Sequence, residues 1–269
     1  MATAVFFHAH PDDEAIATGG TMAKANSEGH RVVLVLATKG EHGEVEDGFL
    51  DPGEELWQRR MKEVEAAAEI EGAHRVAYLG YVDSGMMGTP ENEAPESFWQ
   101  ADLDEAAERL AAILREEQAD VLVAYDENGN YGHPDHIQVN RVGVRAAALA
   151  GTAKVYEATI DQDYVRGLIK MASELGMADV PDGPTDPDEF NMGMPGHLIT
   201  TRVDVRAFLD TKRRAMQAHA SQISETSFFL SMPPVAFEAA WGTECFILRG
   251  APEGTVETDL FEGIGEAIA

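Results

Sequence analysis

The sequence predicts an α/β protein with a mostly parallel sheet flanked by helices on both faces. Three observations carry that prediction. Short apolar or β-branched runs alternate with helix-length patterns, the alternation persists through the first 160 residues, and no solenoid-length repeat or separable linker interrupts the chain.

Val5–Ala9 reads as the first strand, followed by a helix through about Ser27. Arg31–Ala37 is the second strand, and about Glu54 to Glu71 is a long helix stopped by Gly72. Val76–Gly80 is the third strand, and Asp102–Glu117 a helix with Leu103, Ala107, Leu110 and Leu114 on one face. Val121–Tyr125 is the fourth strand, about Pro134–Ala150 the next helix and Val155–Ile160 the fifth strand. The expected order is that of a Rossmann-like doubly wound sheet, 3-2-1-4-5. The whole chain, 1–269, is expected to be one domain: a core over 1–160 and a smaller C-terminal elaboration over 161–269. Within the elaboration, residues 176–196 are rich in Asp, Pro, Gly and Met and read as a long loop or a lid over a pocket. His197–Val203 and Glu244–Leu248 read as strands, Val205–Ala220 as a helix, and the last twenty residues as a docked helix or a loose tail.

Composition narrows the function. The chain carries 48 Asp plus Glu against 20 Lys plus Arg, a formal charge of −28. Such a surface repels phosphate backbones and anionic membranes, which argues against nucleic-acid and membrane partners. No run approaches the roughly 20 apolar residues of a membrane span, and the N-terminus has no basic flank of a secretion signal. A cytoplasmic location is expected. Cys245 stands alone among Phe246, Ile247 and Leu248, as a buried strand position would. The charge leaves homo-oligomerisation open. Gly19-Gly20 lacks a G-x-G-x-x-G pattern, so it suggests close helix–sheet packing rather than a dinucleotide cradle.

Two strands end in nearly the same words: His8-Ala9-His10-Pro11-Asp12-Asp13-Glu14 after the first, and Tyr131-Gly132-His133-Pro134-Asp135-His136 after the fourth. Proline favours the first helical position, so each motif is expected to open a helix with its histidine at the cap. In the order 3-2-1-4-5 the first and fourth strands are neighbours, and their C-terminal loops flank the crevice where such folds bind ligands. Two imidazoles and a carboxylate would leave a coordination position for water, the pattern of catalytic zinc, although the same donors suit non-haem iron (Fe2+). A further carboxylate could take the water's proton, and a histidine or tyrosine could stabilise an oxyanion.

At these residues the chain resembles the PIG-L or LmbE-like family of metal-dependent de-N-acetylases. Further agreement covers Gly40-Glu41-His42-Gly43-Glu44, Asp83-Ser84-Gly85, Tyr125-Asp126-Glu127-Asn128-Gly129 and Ala218-His219-Ala220-Ser221-Gln222. The likeness is greatest to the actinobacterial mycothiol branch, which holds a biosynthetic deacetylase and an amidase of mycothiol conjugates. The resemblance implies zinc (Zn2+) on His10, Asp13 and His136, with Asp12 as general base. It implies that His133 assists the oxyanion or leaving amine, that Asp135 orients His133, and that Tyr131 polarises the carbonyl. Arg60 and Asp83 would contact the sugar. The expected substrate is a small N-acetyl amino-sugar, and the alternatives are a mycothiol-conjugate amide or a natural-product intermediate. A metal-binding protein without turnover is disfavoured by the complete set of catalytic side chains. His219 reads either as support for this site or as a buried helix-end histidine.

Overall fold

A computed structural model describes residues 1–174 and 186–265. Strands β1 (Thr3–His8), β2 (Arg31–Leu36), β3 (Arg75–Tyr78), β4 (Val121–Tyr125) and β5 (Lys154–Thr159) are mutually parallel. Two more, β6 (Thr201–Asp204) and β7 (Thr243–Leu248), join antiparallel and give the order β3-β2-β1-β4-β5-β7-β6. The expected five-stranded order is therefore present and extended at the β5 edge.

The central residues of β1, β2 and β4 are apolar because both faces of the sheet are covered there. Val5 and Phe7 of β1 pack on one side with Leu110, Leu114, Val139 and Val142. Ala4 and Phe6 pack on the other with Met22, Val64 and Ala68. The helices of this part are α1 (Asp13–Ala17), α2 (Gly19–Ser27), α3 (Leu56–Glu71), α4 (Leu103–Glu116), the short α5 (Gly129–Gly132) and α6 (Pro134–Ala150), of which α2, α3, α4 and α6 supply these contacts. Gly72, at φ 79°, terminates α3 in the left-handed conformation that glycine adopts without strain. Asp102 caps α4 by accepting the Glu105 N–H at 3.0 Å.

The single helix expected after the first strand is two. It breaks at Thr18 (φ −138°, ψ 2°), whose hydroxyl lies 2.9 Å from His8 Nε2 on β1. Beyond the break the backbone presses against its neighbours: a Cβ on Gly20 would stand 2.6 Å from Val205 Cβ. Gly19-Gly20 is thus a close-packing site, as its sequence suggested.

After residue 160 the differences are larger. Helix α7 (Gln162–Glu174) was not anticipated, nor were α9 (Phe228–Ser231) and α10 (Pro234–Trp241), which follow α8 (Leu209–Ala218). The expected strand His197–Val203 starts only at Thr201, after a 3-10 turn over Gly196–Leu198. The expected helix Val205–Ala220 opens as a 3-10 turn at Arg206–Phe208. Of the expected lid, residues 176–185 lie outside the described residues. The rest is anchored, with Met194 bridged to Asp161. Residues 250–265 form turns rather than a helix, tied by the Thr201–Glu257 bridge and buried Leu260. A third cluster, including Ala15, Ala67, Ala215, Met216 and Phe237, packs α8 onto α1 and α3. No described helix is long and apolar enough to cross a membrane.

Candidate metal centre

Because β1 and β4 are parallel neighbours, with Ala4 opposite Val121, both motifs leave the sheet at the same edge. The second is shaped by buried Asp126, whose Oδ1 accepts the N–H groups of Asn128 and Asn130 at 3.0 Å. Gly129 (φ 63°) is needed there, since a Cβ would lie 2.7 Å from His136 Cβ. His133 then caps α6, its Nδ1 accepting the Asp135 N–H at 3.1 Å, with Pro134 at the first helical position. The first motif differs from expectation: α1 starts at Asp13, and its cap is Asp12, not His10.

The two motifs meet on one carboxylate. Asp13 Oδ2 is 3.3 Å from His10 Nδ1, and Asp13 Oδ1 is 3.3 Å from His136 Nε2. The donor types suit a zinc-like ion, and each imidazole nitrogen stands from its carboxylate oxygen about as far as two donors on one tetrahedral ion do, about 3.3–3.5 Å. His10, His133 and His136 also each offer a nitrogen within 4.8 Å of the others, a looser set sharing two of the same residues. The far nitrogen of His10, Nε2, lies 3.1 Å from Asp135 Oδ2 and 3.5 Å from Asp83 Oδ1. A carboxylate behind a ligating imidazole fixes its tautomer and orientation.

Electrostatics favour a cation. Asp12, Asp13, Asp83 and Asp135 crowd the site, and Arg60 Nη2 lies 3.3 Å from Asp12 Oδ1. Burial opposes charge on His10, but Asp83, Asp13 and Asp135 outweigh it and raise its pKa. Burial also opposes charge on Asp13, and His136 and His10 reverse that effect and hold it well below the usual carboxylate range. Burial pushes Asp12 up to about 6, with Arg60 pulling the other way. Burial, then the neighbouring His10 and His136, lower His133 to about 4. His133 is therefore neutral at pH 7. Since its Nδ1 accepts the Asp135 N–H, its proton sits on Nε2.

Tyr131 is 45% exposed at the mouth, with its hydroxyl 3.5 Å from His136 Nε2. Asp135 is fully buried, and its carboxylate accepts from Ser84 N at 3.0 Å, from the Ser84 hydroxyl and from His10. The side chain expected to orient His133 thus turns to His10, and only its peptide N–H serves His133. Asp83 is buried beneath the cleft, accepting from Gly85 N at 2.8 Å and His42 N at 3.2 Å. Arg60 is 3% exposed, and its terminal nitrogens donate to Gly40 O at 2.9 Å and Pro11 O at 2.5 Å.

Several participants had no assigned role in the sequence. Tyr125 stacks on His136 (4.4 Å, 15°), and its hydroxyl is 2.8 Å from His8 Nδ1. Glu14 accepts the Asp12 N–H at 3.0 Å and faces His219 Nε2 at 2.5 Å. Their only signal was position, beside or within the segments that agree with the family.

The family model described as GlcNAc-PI de-N-acetylase, PIG-L, matches residues 5–147. The 1D-myo-inositol 2-acetamido-2-deoxy-alpha-D-glucopyranoside deacetylase of Acidothermus cellulolyticus is 42% identical over 272 residues, covering 96% of this chain and 93% of that protein. Among solved structures, the N,N'-diacetylchitobiose deacetylase of Pyrococcus horikoshii superposes with a TM-score of 0.57 at 22% identity, over 91% of this chain and 83% of its own. The 4-carboxy-2-hydroxymuconate hydratase of Pseudomonas putida superposes at 0.60 and 21%, over 94% and 98%. One fold thus hosts both a hydrolase and a hydratase, so structural likeness at this identity speaks for fold alone. The chain belongs to the PIG-L family.

Proposed function

We propose that this protein is a metal-dependent N-deacetylase that hydrolyses the acetamide of an N-acetylglucosaminyl-inositol substrate, with zinc as the metal and His10, Asp13 and His136 as its ligands. The observation that carries the reading is the convergence of His10 Nδ1 and His136 Nε2 on the Asp13 carboxylate, with Asp12, Tyr131 and His133 alongside. The name of the 42% identical relative supports the substrate.

A bound divalent ion would lower the pKa of water and polarise the amide carbonyl. The remaining chemistry belongs to the protein. Asp12 takes the proton of the attacking water and returns it to the departing amine nitrogen, so that water and amide become acetate and amine. Burial raises its pKa above the usual carboxylate range, which favours acceptance of that proton. Tyr131, a phenol that is protonated at neutral pH, donates to the carbonyl oxygen as charge develops. His133 Nε2–H is a second donor, held by the cap at Nδ1. Arg60 and Asp83 are read as shaping the cleft through the loops at Gly40 and His42, with sugar contact restricted to whatever hydrogen-bonding capacity remains.

The test is bound-metal analysis together with release of acetate and free amine from GlcNAc-inositol and simple GlcNAc compounds. Stoichiometric zinc and acetate release, reduced about 10²–10⁴-fold in Asp12→Ala with metal retained, is the expected result. A near-normal rate in Asp12→Ala would overturn the base assignment. Turnover confined to larger amide conjugates would move the substrate to the amidase class, and absence of bound metal would refute the centre.

A further inference from the structure

Asp12 has φ 111° and ψ −31°, a backbone conformation that L residues adopt only when their surroundings enforce it. The enforcing contacts come from three directions. On the N-terminal side, Arg60 Nη2 donates to Pro11 O. On the C-terminal side, Ile16 N donates to Asp12 O at 3.2 Å. Between them the Asp12 N–H donates to Glu14 Oε2 at 3.0 Å.

Glu14 is wholly buried, and its two oxygens have separate duties. Oε2 holds the Asp12 peptide, and Oε1 meets His219 Nε2 at 2.5 Å. His219 is equally buried at the C-terminal end of α8, more than 200 residues away in sequence. It is itself fixed: its carbonyl accepts the N–H groups of Gln222 and Ile223, and Ser221 is anchored by backbone and hydroxyl to Glu63 on α3. The same helix also holds α1, which the motif opens, since Lys212, two turns earlier, donates to Ile16 O at 2.7 Å. If packing alone were needed, an apolar pair would fill this space without the cost of burying ionisable groups. The polar pair instead terminates on the peptide of the proposed base.

We infer that Glu14 and His219 form a positioning pair for the reaction: His219 fixes the Glu14 carboxylate, and Glu14 holds the Asp12 peptide so that the carboxylate of Asp12 points at the water it deprotonates. This rests on Asp12 being the base. The C-terminal elaboration thereby contributes to turnover from behind the cleft without touching substrate.

The experiment compares kcat, KM, bound zinc and thermal unfolding for His219→Leu, His219→Gln, Glu14→Met and Glu14→Gln in the full chain, with Asp12→Ala in parallel. A base displaced by about 1 Å loses on the order of 10²-fold in rate. His219→Leu and Glu14→Met should therefore lose about 10²-fold in kcat with KM within about threefold and zinc retained. Both glutamine variants keep a hydrogen-bonding group where the positioning needs one, and should stay within about tenfold of the parent kcat. The double variant His219→Leu with Glu14→Met should lose no more than either alone, because each breaks the same chain of contacts. A folded, zinc-loaded His219→Leu enzyme with kcat within twofold of the parent would overturn the inference, as would losses that multiply in the double variant. Should His219→Leu fail to fold, Glu14→Gln against Glu14→Met decides, and equal rates overturn it. If Asp12→Ala retains activity, the base reading itself has failed. If Asp12→Ala is inactive and His219→Leu is unimpaired, only the positioning role is lost.

Discussion

Along β1, Ala4, Val5, Phe6, Phe7 and His8 are buried without interruption, whereas β6 alternates, with Thr201 and Val203 inward and Arg202 and Asp204 outward. The first pattern belongs to a parallel strand covered on both faces, the second to an antiparallel edge with one face in solvent. The parallel half places the two motifs at the C-terminal ends of β1 and β4. The C-terminal part packs charge against it: Lys212 on α8, His219 at its end and Glu244 on β7 are buried, with Glu14 and Glu71 of the first half buried among the groups that face them. Under the proposed mechanism this is a division of labour, in which one region presents the reacting groups and the other fixes the loop that presents them.

That division can be broken most strongly in the first region. His136→Ala removes a proposed ligand from the packed start of α6, and the rate is expected to fall by about 10³-fold or more, following loss of several kcal/mol of transition-state stabilisation. Bound metal should fall well below one per chain while the melting temperature changes little. Metal analysis beside a melting curve checks both halves of that statement, and full metal retention would remove His136 from the ligand set.

A change in the second region should do the reverse. Lys212 Nζ lies 2.6 Å from Glu244 Oε1, and Glu244 also accepts the N–H groups of Gly20 and Thr21 at 2.9 and 2.8 Å. Lys212→Met leaves that carboxylate buried and uncompensated, at about 3–5 kcal/mol of stability by urea unfolding. Zinc content in the fraction that stays folded should be unaffected.

Tyr125 tests the boundary between the two effects. Tyr125→Phe keeps the ring stacked on His136 but removes the hydroxyl that meets His8 and the proposed ligand Asp13, and should weaken metal affinity about 10-fold, as loss of outer support around a ligand does. Competition with a chelator of known affinity reads it directly.

The smallest effect concerns Glu71, fully buried in α3 with neither carboxylate oxygen bonded among the described residues. Burial, then the neighbouring Glu14, raise its pKa well above the ordinary glutamate value, while Lys212 opposes them. The folded state therefore holds a proton that the unfolded state releases. The sign follows: this group weakens stability as pH rises above about 4.5, the model-compound range. Glu71→Gln should raise the urea midpoint relative to the parent at pH 8, with the difference vanishing near pH 4. A difference independent of pH would mean that Glu71 has another partner.

The two motifs proposed to hold the metal were legible because their information is local. His10-Pro11-Asp12-Asp13 and His133-Pro134-Asp135-His136 follow strands whose hydrophobic runs are unmistakable, and neighbouring parallel strands bring their ends together. Asp135 was legible as a member of the site but not in its contacts, because a side chain at a helix start can turn to either histidine, and the Ser84 loop draws it to His10. Arg60 was legible as a site residue, while its burial under Pro11 and Gly40 depends on how two loops cross.

By itself the sequence determined the parallel core, the two strand ends proposed to carry the chemistry and the donor types, because periodicity and short motifs encode structure within a few residues. The antiparallel extension, the break at Thr18 and the grip of α8 on Glu14 were decided only in the tertiary structure. They depend on contacts between different elements, Tyr156 beside Leu248, Thr18 against His8 and Glu14 against His219, whose geometry exists only once the sheet has set the distance between them.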